Sequence, residues 1–125
     1  MTDHEATSPR IKLRLEYPNP LVLGPGKADL LERIDRLGSI SAAGRDMGMS
    51  YKRAWSLVEE MNTAFTGPVV DSSRGGAGGG GASLTAQGRQ MLAHYRALEQ
   101  VLHDHGNEHL AALQSMLRDQ PSDRD

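Results

Sequence analysis

Residues 39–65 read SISAAGRDMGMSYKRAWSLVEEMNTAF, and the fold turns on how this stretch is divided. Gly48 falls between two segments of helical character, at a position that favours a left-handed backbone and ends a helix. The first segment is short and built on Ala42, Ala43 and Met47, with Ser39 or Ser41 as its N-cap. The second opens on Ser50 as its cap, and Ala54, Val58, Met61 and Phe65 recur at spacings of four, three and four, with Leu57 beside them. That apolar stripe is core. The opposite side of the first turns carries Tyr51, Lys52, Arg53 and Ser56, all hydrogen-bond donors.

Working outward, Ile11, Leu13, Leu15 and Tyr17 alternate with charged residues, the period-2 pattern of a half-buried strand, and Pro18-Asn19-Pro20 stops it. LVLGPG then leads into KADLLERIDRLG, an amphipathic helix with Leu30, Leu31, Ile34 and Leu37 on one stripe and Gly38 as its stop. On the other side, Gly67-Pro68 breaks the helix. VVDSS and ASL read as two short strands of a hairpin, and Thr85 is placed to cap a following helix. From Ala86 that helix carries Met91, Leu92, Tyr95, Leu98 and Leu102, and Gly106-Asn107 is placed to kink it before Leu110, Leu113 and Leu117. The expected organisation is a disordered arm over 1–9, a compact domain over 10–84, a helical segment over 85–118 and a frayed tail over 119–125. The fold class is α+β, mainly α, with the element order of a winged helix-turn-helix.

Composition narrows the function. The chain has 125 residues, enough for one domain, and no cysteine, which excludes disulfides, thiolate metal sites and a cysteine nucleophile. No apolar run approaches the roughly 18 residues that cross a bilayer, and the acidic N-terminus is unlike a signal peptide, so a cytoplasmic protein without membrane contact is expected. The net charge of −2 hides an uneven distribution: residues 101–125 hold five acidic and two basic groups. Between residues 45 and 58, Arg45, Lys52 and Arg53 stand against Asp46 alone. A helix fits the major groove with its N-terminal side chains at base edges while the preceding helix meets the backbone. In that arrangement Lys52 and Arg53 reach phosphate or guanine, Ser50 and Ser56 bond phosphate or bases, Tyr51 bonds phosphate through its hydroxyl, and Arg45 contacts the backbone. Arg74, at the base of the hairpin, reaches the adjacent minor groove. Trp55, one turn after Tyr51, reads as mainly packed, with a DNA-facing role as the alternative.

The rival readings are weaker. Six of the 14 glycines fall between Gly75 and Gly81, yet GGGGASL has no lysine and runs into a strand, unlike a phosphate-binding loop. No parallel-sheet context supports a dinucleotide site. His103, His105 and His109 cluster, but Gly106 interrupts the spacing a helical metal site needs, so a polar helix end is the better reading and no metal or cofactor is expected. No nucleophile motif points to an enzyme.

The stretch SISAAGRDMGMSYKRAWSLVEEMN, with its SYKxAW core and terminal EMN, resembles the DNA-binding domain of the ModE-type molybdate-responsive transcriptional regulators. SRGGAGGGGASLTAQGRQMLAHYRALE resembles that family's glycine-rich wing, LTxxG turn and the start of its dimerisation helix. The likeness runs from about Ile11 to Glu99, with an extension towards Leu117. It implies a LysR-like winged helix that binds a palindromic operator in double-stranded DNA as a homodimer, in molybdenum-related gene control. Carried over, Ser50, Tyr51, Lys52 and Arg53 open the recognition helix and Arg74 flanks the wing. The N-terminal strand, with Leu13 and Leu15, and the long helix, with Met91, Tyr95, Leu98 and Leu102, would form the dimer contacts. Two departures stand out: Ala77 sits where a basic wing residue is expected, and this sequence stops before the Mop-like molybdate-binding region of longer members. No molybdate site is evident in the sequence. The alternative is a protein-interaction module whose Met91, Tyr95, Leu98 and Leu102 stripe pairs with, or modulates, a full-length regulator. A domain that itself senses an oxyanion would need a site the residues do not supply.

Overall fold

The computed structural model describes residues 9–73 and 81–118; the arm over 1–8, Arg74 with Gly75–Gly80, and the tail over 119–125 lie outside the described residues. It divides into two compact units, residues 12–96 and a second formed by 1–11 with 97–125. The larger unit holds the core and is α+β, mainly α, with two small antiparallel hairpins.

The N-terminal alternation survives as burial: Ile11, Leu13 and Leu15 are half-buried while Lys12, Arg14 and Glu16 are exposed. The strand itself is shorter than the pattern predicts. Only Leu15–Glu16 (β1) pairs, and its partner is Val22–Leu23 (β2), with Leu15 opposite Leu23 and Glu16 opposite Val22. Pro18-Asn19-Pro20 is therefore the turn of a hairpin. The Asn19 side chain accepts from the Leu21 N–H at 3.1 Å and donates to the Ala64 carbonyl at 3.1 Å.

Helix α1 (Pro25–Leu37) begins earlier than its apolar stripe, because Pro25 occupies the first turn, where a missing N–H costs nothing. It buries Ala28, Leu30, Leu31 and Ile34. Leu37, expected on the same stripe, is 42% exposed. The chain leaves the core at that point: Gly38 takes φ 72° and its N–H closes on the Ile34 carbonyl.

Helix α2 (Ile40–Asp46) is capped by Ser39, whose hydroxyl accepts from the Ala42 N–H at 3.0 Å, so Ser39 rather than Ser41 is the cap. Its end is a Schellman closure: the Met49 N–H bonds the Gly44 carbonyl at 2.9 Å, the Gly48 N–H bonds that of Arg45 at 3.0 Å, and Gly48 takes φ 73°. Helix α3 (Tyr51–Ala64) follows at once and buries Ala54, Leu57, Val58 and Met61. The two helices approach so closely that a Cβ at Gly44 would lie 2.9 Å from the Ala54 Cβ.

Strands β3 (Val70–Ser73) and β4 (Gly81–Leu84) pair antiparallel, Val70 opposite Leu84 and Ser73 opposite Gly81. Asn62 of α3 fixes the base of this hairpin. Its side-chain oxygen accepts from the Val69 N–H at 2.8 Å and the Val70 N–H at 3.1 Å, and its amide donates to the Val70 carbonyl at 3.2 Å. Asn62→Ala would leave those backbone groups without partners where both valines are buried, so a loss of about 2 kcal/mol is expected in urea unfolding. A loss below about 0.5 kcal/mol would contradict the brace.

Thr85 caps helix α4 (Ala86–His105): its hydroxyl accepts from the Gly88 N–H at 3.0 Å and donates to the Pro68 carbonyl at 2.6 Å. Tyr95 is sealed in the core at 1% exposure, and its hydroxyl donates to the Leu13 carbonyl at 2.6 Å. Arg96 binds Asp29 and Glu32 at 2.8 and 2.7 Å, and Arg89 binds Asp35 at 2.8 Å, clamping α4 to the outer side of α1. In the second unit, α4 ends at His105 and α5 (Asn107–Ser115) starts after Gly106, so the expected break is present. No helix among the described residues is long and apolar enough to cross a membrane.

Candidate nucleic-acid interface

The first two turns of α3 leave Tyr51, Lys52, Arg53 and Ser56 exposed, while Ala54, Leu57 and Val58 are buried. This separation follows from helical spacing: a stripe that satisfies the core leaves its complement in solvent. Ser50 is the N-cap, its hydroxyl accepting from the Arg53 N–H at 3.0 Å, which fixes where the helix begins. That bond uses one lone pair and leaves the hydroxyl proton for another acceptor. Arg45, exposed on α2, donates to Ser41 at 3.3 Å.

The balance of charge is sharper than residue counting implies. Asp46, the acid expected to oppose the basic residues, is engaged by Arg33 at 2.8 Å and by Arg36 at 3.6 Å, both from α1. Among the described residues, Arg45, Lys52 and Arg53 have no acidic partner. Further along α3, Glu60 is paired with Lys27 at 3.1 Å. The basic groups thus stand at one end of α3, with cations of α1 neutralising the nearest acid.

Trp55 is half-buried against the core, as its main reading anticipates, and also reaches the outer surface: its indole N–H donates to the Tyr51 hydroxyl. The rings meet edge to face, with centroids 6.3 Å apart and planes at 87°. This pairing was not legible as a bond, although i, i+4 spacing of two aromatic residues is the signal that precedes it. Asn62 and Gly44, which hold α3 to the hairpin and to α2, likewise carry no motif in the sequence. A glycine inside a seven-residue helix was the available sign of close approach.

The other expected site residues distribute differently. Arg74 lies outside the described residues. Leu13, Leu15 and Met91 are half-buried and pack on the chain's own core. Tyr95, expected at a contact with a second copy, is 1% exposed within its own chain, where its hydroxyl donates to the Leu13 carbonyl and Arg96 lies over its ring. Leu98 and Leu102 are exposed, together with Val101, Leu113 and Leu117. His103, His105 and His109 are exposed and divided between α4 and α5, and no group of three potential metal ligands is found among the described residues.

No protein-family model matches the chain. Individual relatives do. The molybdenum-pterin-binding protein MopB of Rhodobacter capsulatus is 48% identical over 77 residues, 62% of this chain and 28% of its own length. The DNA-binding transcriptional dual regulator ModE of Escherichia coli K12 is 40% identical over 91 residues, 73% of this chain and 35% of its own. The molybdenum transport protein ModE of Azotobacter vinelandii is 40% identical over 88 residues, 70% of this chain and 33% of its own. The chain spans about a third of the length of these curated relatives. Homology at this level over most of the chain places it with the ModE-type, molybdenum-related regulators, as a counterpart of one part of those longer proteins.

Proposed function

We propose that the chain is the DNA-binding part of a molybdenum-related transcriptional regulator, a LysR-like winged helix-turn-helix that binds a palindromic operator as a homodimer. The observation that carries the reading is the outer face of α3, where Ser50, Tyr51, Lys52, Arg53 and Ser56 gather with no acid opposing them. Such a helix end, offered to the major groove, places cations at phosphates and donors at base edges. The similarity to the DNA-binding regulator of Escherichia coli agrees with it. Arg45 would contact the backbone beside α2, and Arg74 the minor groove. Leu98, Val101 and Leu102 on α4, with Leu113 and Leu117 beyond Gly106, supply exposed apolar surface for a second copy.

The test uses duplexes enriched by the wild-type protein from a random-sequence pool. Lys52→Ala and Arg53→Ala are each expected to weaken binding about five- to tenfold and to lower the salt slope by about one, while melting stays unchanged. Unchanged affinity in both variants would overturn the assignment of α3. Mass measurement in solution, with and without DNA, separates the homodimer from an interaction module: a stable dimer indifferent to every duplex would favour the latter.

A further inference from the structure

We propose that Trp55 is a positioning residue that aims the Tyr51 hydroxyl outward, so that Tyr51 serves as a hydrogen-bond donor to an acceptor atom of DNA. The inference rests on the DNA-binding reading above and deepens it. An indole nitrogen can only donate, so in the Trp55–Tyr51 bond the phenolic oxygen must accept. Two protons cannot share that approach, and the Tyr51 O–H is therefore driven to the side away from the indole. There, among the described residues, it has no acceptor of its own. The two partners are unequal in freedom. Trp55 is half-buried and packed on the core, whereas Tyr51 is 56% exposed, so the tryptophan is the fixed member and the tyrosine the one held.

The edge-to-face contact restrains the phenol ring in the same direction as the hydrogen bond. A free surface tyrosine would lose rotamer freedom on binding; one already held loses less, and the difference appears as affinity. Lys52 and Arg53, the next two residues, likewise only donate. The matching partner surface is one of acceptors: phosphate oxygens, or the purine N7 and carbonyl oxygens of the major groove.

The experiment measures binding of the enriched duplex by Tyr51→Phe, Trp55→Phe and the double variant, each checked for an unchanged melt. Tyr51→Phe is expected to weaken binding about tenfold. Trp55→Phe should cost about three- to fivefold, and the double variant should match Tyr51→Phe within about twofold, because the tryptophan acts through the hydroxyl. Full affinity in Tyr51→Phe, or losses that multiply, would overturn the proposal. If Trp55→Phe melts too low to assay, benzothienylalanine at this position removes the N–H and keeps the bicycle.

A spectroscopic readout is available because the chain has one tryptophan. Its indole N–H resonance should shift and exchange faster in Tyr51→Phe, and an unmoved resonance would refute the positioning. Methylphosphonate linkages in the enriched duplex that erase the Tyr51→Phe difference assign the acceptor to phosphate, and 7-deazapurines that erase it assign it to a base edge. The two readings fail separately. Wild-type protein that binds no duplex overturns both, whereas weakened Lys52→Ala with fully binding Tyr51→Phe overturns only the positioning.

Discussion

Gly88→Val is expected to destabilise the domain by about 3 kcal/mol or more, lowering the melting temperature by roughly 12–24 °C. A Cβ at Gly88 would lie 2.1 Å from the Val69 carbonyl oxygen and 2.9 Å from its carbon. The obstacle is backbone, so no rotamer change relieves it. Nor can Val69 withdraw. Its side chain is fully buried, its N–H is held by Asn62, and its carbonyl accepts from the Thr85 N–H at 3.0 Å. The same Thr85 caps α4 through the Gly88 N–H, so relief at one bond breaks another. Gly88→Ala meets the same oxygen but gains about 1 kcal/mol of helix propensity, and should lose about 2 kcal/mol. Gly26 is the internal contrast: it lies in the first turn of α1 with nothing within 4 Å of an added Cβ, and Gly26→Ala should leave stability unchanged or raise it by under about 1 kcal/mol. Thermal melts of the three variants check the series, and a Gly88→Val protein melting within about 4 °C of wild type would show that α4 does not pack on Val69 in this way.

What could be read beforehand follows from how far apart the interacting groups lie in sequence. Ser50, Gly48 and Thr85 were legible because caps and left-handed turns are local: the hydroxyl meets an N–H three residues on, and the glycine is needed where it stands. The outer face of α3 was legible for the same reason, as the complement of a 3.6-residue stripe. The hairpin of β1 with β2 was hidden, since two-residue strands carry no periodicity to recognise. Leu37 fits the α1 stripe by spacing but sits in the turn where Gly38 takes the chain out of the core. Most consequential for the site, Asp46 stands near Lys52 and Arg53 in sequence, while its partner Arg33 lies thirteen residues away on another helix. Periodicity gives the face of a helix, not what that face meets: the Tyr95 hydroxyl bonds a carbonyl 82 residues away in sequence.

Tyr95→Ala is expected to cost about 3–5 kcal/mol, the scale of removing a buried aromatic side chain. The residue is the largest among the fully buried side chains, and the Arg96 guanidinium lies 5.8 Å from its ring centroid. Tyr95→Phe separates the two contributions. It keeps the ring and removes only the donor to the Leu13 carbonyl, a bond between residues 82 apart in sequence that ties the N-terminal segment to α4, and should cost about 1–2 kcal/mol. Hydrogen exchange should then rise first in residues 12–16, next to the released carbonyl. The pair also decides between two roles for this position. If Tyr95 belongs to its own chain's core, Tyr95→Phe lowers unfolding stability by the same amount at every protein concentration and leaves dimer dissociation unchanged. If it lies between copies, the loss appears in the dissociation constant and the melting difference shrinks on dilution below it. With 1% of its surface exposed in a single chain, the first outcome is expected.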